Sequence, residues 1–241
     1  MTPFLSNAMT KDKRQSDPLK GLERFWIIGA GRFGQIAVER IRRKKADAAV
    51  TVVDKESTDL GHGNVSAIQQ DGIQWLAAKL QPKAPVDMVV PAIPVHVAYE
   101  WLKSNLSERY KINPIDIPDK WLARMPNAMR GAVGQAYVSH ADFICPDNCP
   151  EPKTICTHTG KPRPMDLFRL LAGLDFDDVL PIVIRSHQLL PGVGGIYPGE
   201  FFDALYTVCS NRQRALMIAT ACRCHGVVDF FRLEERASSV G

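Results

Sequence analysis

The chain has 241 residues, 45% of them hydrophobic, enough to bury a core in one large domain or two modest ones. Charged residues make up 23% and the formal net charge is +4, too mild for the basic stripe that nucleic-acid binding requires. No apolar stretch approaches the ~20 residues that span a bilayer, so direct membrane insertion is not expected.

Met1–Leu22 is polar and charged, with Lys11, Lys13, Arg14 and Lys20. It lacks the apolar core of a signal peptide and reads as a disordered lead-in of residues 1–22. Met9 reads as an alternative start. Without an export signal the expected compartment is the cytoplasm. There the six cysteines should be reduced thiols or metal ligands rather than disulfides.

Residues 23–112 predict a Rossmann-type unit. The apolar run ending at Ile28 reads as a strand buried on both faces of a parallel sheet. Arg32 to Arg43 places Phe33, Ile36, Ala37 and Ile41 on one helical face. Arg40, Arg42, Arg43, Lys44 and Lys45 fall at that helix's end, where cations complement the dipole, and read as a solvated run. Ala49–Asp54 is a β-branched second strand and Val65–Ile68 a weaker third. Asp71–Leu80 predicts a helix, Val86–Pro91 a fourth strand and Val95–Leu106 another helix. Such alternation means a parallel sheet with right-handed crossovers.

Pro114, Pro118 and Pro126 mark a boundary, and residues 113–241 form a second, cysteine-containing α/β or α+β domain. Strands are expected within Ala136–Cys145 and over Val179–Ser186, Ala215–Cys222 and Val227–Phe231. Helices are expected over Met165–Leu174 and Gly199–Cys209. Asp175, Asp177 and Asp178 read as a solvated turn.

Gly29-Ala30-Gly31-Arg32-Phe33-Gly34 fits G-x-G-x-x-G between a strand and an amphipathic helix. The first glycine permits the tight turn, the second lets pyrophosphate approach the backbone, and the third lets helix and strand pack closely. The helix start then offers free amides and a positive dipole end to the phosphates. Asp54 closes the next strand, twenty residues after Gly34. Its carboxylate suits the adenosine ribose hydroxyls and repels a 2′-phosphate, favouring NAD(H) over NADP(H). Lys55 beside it softens that preference.

Phe25 to Glu56 resembles the nucleotide-binding domain of Trk-type potassium-uptake regulators, the regulator-of-potassium-conductance family. The shared features are the strand, the G-x-G-R-x-G turn and the acid closing the second strand, carried here by Gly29, Gly31, Arg32, Gly34 and Asp54. Gln70-Asp71-Gly72 with Trp75-Leu76 is similar to that family's element after its third strand. The resemblance extends to about Leu106. It implies NAD(H) or a related adenine nucleotide, pairing as a homodimer and a membrane transporter as partner.

Five of the six cysteines fall in two groups, Cys145, Cys149 and Cys156, then Cys222 and Cys224 followed by His225. The first group lies among Pro146, Pro150 and Pro152, with His158 close behind. Thiolates on such a loop can converge on zinc or an iron–sulfur cluster, with the second group completing the ligands. The spacing is not that of paired zinc knuckles. Reduced, partly buried thiols and a redox-active pair stay open as alternatives. Cys209 sits on an apolar helix face and reads as core.

His187 ends an apolar strand ahead of the glycine-rich stretch Leu190–Gly195. It is the candidate general acid or base, against a plain connecting-loop role. The expected function is an NAD(H)-binding redox protein with a metal or cluster in its second half. The alternatives are a non-catalytic NAD(H)-sensing regulator and a zinc-stabilised interaction protein.

Overall fold

The computed structural model describes residues 17–56, 63–176 and 178–236. Met9, Lys11, Lys13, Arg14 and Asp177 lie outside them. The first half contains β1 (Arg24–Ile28), α1 (Arg32–Lys44), β2 (Ala49–Asp54), β3 (Val65–Gln69), α2 (Gly72–Lys79), β4 (Met88–Pro91) and α3 (Val97–Leu106). The four strands are parallel in the order β3-β2-β1-β4, a Rossmann half-sheet.

Strand alternation explains why these apolar runs bury both faces. Phe25 and Ile27 join Val50, Val52, Met88 and Val90 beneath Ala37, Val38 and Ile41 of α1. Trp26 and Ile28 join Val53 and Val89 against Trp75, Leu76, Trp101 and Leu102 on the opposite side. Leu19 and Leu22 are buried with the α1-side cluster. The packed chain therefore starts at least a few residues before the expected end of the lead-in at residue 22.

The second half contains β5 (Tyr110–Pro114), α4 (Asp119–Leu122), β6 (Met129–Arg130), β7 (Gln135–Ser139), α5 (Leu167–Ala172), β8 (Val179–Arg185), β9 (His187–Leu190), β10 (Val193–Gly195), α6 (Pro198–Ser210), β11 (Ala215–Ala221) and β12 (His225–Glu235). Its mixed sheet runs β6-β7-β12-β11-β8. The far end of β12 also pairs with β5, which straddles the expected boundary at 112/113 and belongs to this second sheet. β8 and β11 are parallel, joined through α6, and the other pairings are antiparallel. Pro181 is tolerated because β8 is an edge strand.

The two sheets are not independent. One face of the second sheet, with Ile182, Ile184, Leu216, Ile218 and Phe231, shares a core with α2, α3 and the first sheet. Trp101 of α3 meets Phe201 and Phe202 of α6 edge-on, at 5.3 and 5.9 Å between ring centroids. The other face packs on α5 through Leu167, Leu171, Met217 and Phe230. The hairpin β9–β10 leaves the second sheet and docks on the first through the antiparallel bridge between Val89 and Ile196. Among the described residues no helix is long and apolar enough to cross a membrane.

Candidate functional site

The glycine turn sits at the carboxyl end of β1, beside the end of β4, where an open α/β sheet leaves its crevice. Gly29 has φ of 109°, and a Cβ there would lie 2.6 Å from Ile93 Cγ2 and 2.7 Å from the Ala92 carbonyl. A Cβ on Gly34 would lie 2.0 Å from the Gly29 carbonyl oxygen, so only glycine lets α1 pack on the turn. Gly31 differs, because a Cβ there meets nothing within 4 Å. Its lack of a side chain serves no packing need of the protein itself. Gly31 is also the N-cap of α1, with no side-chain cap and no acid in the first turn. The first amides of a thirteen-residue helix are thus left without a capping side chain.

Asp54 closes β2 as expected. Its Oδ2 accepts from the Ala30 amide at 2.6 Å and its Oδ1 from Glu56 at 2.9 Å. These bonds, the Ala30 amide foremost, hold the carboxyl below the usual range, so it is ionised at neutral pH. Lys55 reaches to Asp71, 3.0 Å away. Asp71 in turn caps α2 by accepting from Ile73 and Gln74. Phe33 is exposed.

Arg32 points out of the turn and pairs with Asp147, between Cys145 and Cys149. Arg40, one face along α1, donates to the Asp147 carbonyl at 2.8 Å and to the Pro191 carbonyl. Lys45 donates to Leu22 at 2.6 Å. The basic run is therefore only partly solvated, since two of its members hold neighbouring loops. The glycine-rich stretch after β9 seats the cysteine loop. The Gly192 amide donates to the Cys149 carbonyl at 3.1 Å, and Gln188 Nε2 to the same oxygen at 2.9 Å. Gly192 has φ of 67°, and a Cβ would collide with the Asp147 carbonyl at 1.7 Å.

Cys145, Cys149, Cys156 and Cys224 line one cavity of about 290 Å³, with His140, Phe143, Lys161 and Arg163. Loops after β7 and after β11 are thus brought together across some seventy residues of sequence. Burial, then the neighbouring Cys149, Cys224 and Cys156, push the Cys145 thiol up to about 11. Cys156 is drawn down by the Thr159 amide and hydroxyl and the His158 amide. Arg163 donates from Nε to Cys224 Sγ at 3.2 Å. The Nε2 of His140 is buried without a hydrogen-bond partner. Cys222 departs from the expected ligand set. It does not line the cavity, and its sulfur accepts the Cys224 and His225 amides at 3.3 Å. Burial pushes that thiol up to about 12. Cys209 is partly buried against the shared core, as expected. All six cysteines are free of disulfides.

His187 begins β9 and keeps Nε2 3.1 Å from the Glu200 carboxylate, with Tyr197 edge-on at 4.7 Å. It does not line the cysteine cavity. Sequence reading passed over His96. Its Nδ1 lies 2.6 Å from Asp229 Oδ2 and its Nε2 2.8 Å from Thr220 Oγ1. With side chains 2% and 5% exposed, His96 and Asp229 form a sealed brace between α3 and the second sheet. Nothing local announces it, because Asp229 lies 133 positions away.

Fold and site together define an α/β protein of two main sheets and a β-hairpin, with a Rossmann-type turn tied to a thiol-lined cavity. Residues 98–234 match the family model described as "Uncharacterized protein, C-terminal domain", more than half of the chain, and the chain belongs to that family. It is similar to an uncharacterized protein of Archaeoglobus fulgidus, 28% identical over 227 residues that cover 84% of this chain and 96% of that protein. No solved structure matches it. The family span starts within α3 and includes all six cysteines.

Proposed function

We propose that this protein binds NAD(H) at the Gly29–Gly34 turn and that its redox-linked partner site is the cysteine cavity, which holds a metal centre. The observation that carries the reading is the pairing of Arg32 with Asp147, which ties the turn to the loop bearing Cys145 and Cys149. Support at the turn comes from the open space at Gly31, the α1 amides without a capping side chain and the ionised Asp54 at the end of β2. The pyrophosphate would lie over Gly31 and the adenosine ribose against Asp54. His187, held by Glu200, is the candidate acid or base should the bound nicotinamide react, in which case the protein is an NAD-dependent oxidoreductase.

The test is a calorimetric titration of the purified protein with NADH and with NADPH. Saturable binding of one NADH per chain, tighter than NADPH, is the expected result. No saturation with either nucleotide would overturn the reading.

A second reading, a non-catalytic NAD(H) sensor of the kind the potassium-transport regulators exemplify, is favoured by the same ion pair. A bound pyrophosphate would compete with the Asp147 carboxylate for Arg32. Occupancy of the turn would then bias the position of the cysteine loop. A homodimer and a membrane transporter as partner belong to this reading.

A further inference from the structure

The thiol cavity carries a more definite statement about what it binds. Among the described residues, no three His, Cys, Asp or Glu side chains come close enough together to hold a single metal ion. A tetrahedral zinc site would require it, because Zn–S bonds of about 2.3 Å place the ligating sulfurs within ~4 Å of one another. Yet Cys145, Cys149, Cys156 and Cys224 stand around one cavity of about 290 Å³. Four thiols set around a space, rather than drawn to a point, suit a polynuclear centre whose inorganic core fills that space. We propose that the cavity is the site of a [4Fe–4S] cluster ligated by Cys145, Cys149, Cys156 and Cys224. This deepens the metal-centre reading of the cavity and rests on it, while standing independently of NAD(H) binding.

Two further features fit. A cubane with four thiolates is a dianion, and Arg163 and Lys161 line the cavity. Arg163 is anchored by the Pro152 and Lys153 carbonyls, has a side chain only 4% exposed, and directs Nε at Cys224 Sγ. A donor to a ligating sulfur is a recognised means of tuning a cluster's potential. Next, Cys156 is held in a tight turn, its amide donating to the Lys161 carbonyl at 2.9 Å and its carbonyl accepting from the Gly160 amide at 2.8 Å, closed by the Ile155–Pro162 bridge. Cys222, two residues from Cys224, is outside the set because it does not line the cavity.

Ligation is an exchange without net redox change. Each of the four thiols gives its proton to a terminal thiolate of the donor that carries a preformed [4Fe–4S]²⁺ core and takes that thiolate's place on one iron, the donor leaving as thiol.

The experiment is anaerobic purification of the full chain, with metal and acid-labile sulfide analysis and optical spectra. If the protein is isolated without iron, it is reconstituted with equal ferrous and ferric iron and matching sulfide. The expected content is about four iron and four sulfide per chain, with a brown absorbance that bleaches on dithionite reduction. The Cys145→Ser/Cys149→Ser double variant is expected to lose the chromophore, and Cys224→Ser to lower the iron content. Cys222→Ser and Cys209→Ala are expected to retain both. One zinc per chain with no colour would overturn the cluster while leaving the metal-centre reading standing. Neither iron nor zinc, before or after reconstitution, would overturn both. Loss of colour in Cys222→Ser with retention in Cys224→Ser would overturn the ligand set. NADH titration of the iron-free protein reads the turn separately.

Discussion

Valine at Gly31 is the perturbation that separates ligand binding from folding at the turn. A Cβ at this position meets nothing within 4 Å, and φ there is −63°, accessible to any L-residue. The variant should therefore fold, at a cost of about 1 kcal/mol for a β-branched N-cap in place of glycine. The added methyl groups would occupy the space over the α1 amides that the pyrophosphate needs. Losing two hydrogen bonds to a charged group, at about 1.5–3 kcal/mol each, weakens binding by about 3–6 kcal/mol. At 1.4 kcal/mol per decade the NADH Kd rises roughly 10²–10⁴-fold. Calorimetry gives the affinity, and a urea melt checks the fold. Gly34→Ala is the contrast, since its Cβ would overlap the Gly29 carbonyl and the loss should be in stability. Unchanged NADH affinity in a folded Gly31→Val protein would refute the reasoning.

Asp147→Asn should free Arg32 for the phosphates and tighten NADH binding. The pair is exposed and worth at most about 1 kcal/mol, so the gain is at most about fivefold. Weaker binding in the same titration would sink the competition argument. Asp87 is held below its ordinary range by the Arg24 guanidinium, then by the Glu23 and Arg24 amides. Its contribution is present above the unfolded-chain value of about 3.9 and lost as pH falls through the lowered folded value. Asp87→Ala should therefore be less stable than wild type near neutrality, with the gap closing in strong acid. Urea midpoints across that range check the sign. Asp229→Ala should leave the buried His96 Nδ1 without its hydrogen-bond partner and cost about 1–3 kcal/mol. Chemical denaturation measures it, and a loss under about 1 kcal/mol would mean that the brace carries little.

The first sheet was legible because its information is local. Ile27 and Ile28 run into Gly29 without a polar interruption, and the spacing to Gly34 and then to Asp54 repeats a geometry that the backbone enforces. The strands and helices of the second half were also largely legible, from periodicity and β-branching. β5, α4, β6 and the β9–β10 hairpin were not, being short or made of residues with mixed preferences such as Tyr110–Pro114 and Val193–Gly195. Their identity as strands comes from partners far along the chain. Leu19 and Leu22 likewise looked like part of a polar lead-in until the α1-side core was seen to cover them.

By itself the sequence determined the glycine turn, its acid and the presence of two cysteine groups, because each rests on residues a few positions apart and on backbone geometry. Only the tertiary structure decided which cysteines belong together. Cys222 and Cys224 are equivalent by spacing, and the turn after β11 directs one sulfur to its own amides and the other to the cavity. It also decided that the turn and the cavity are neighbours, since the link from Arg32 to Asp147 spans 115 positions and exists only where the β9–β10 hairpin docks on the first sheet.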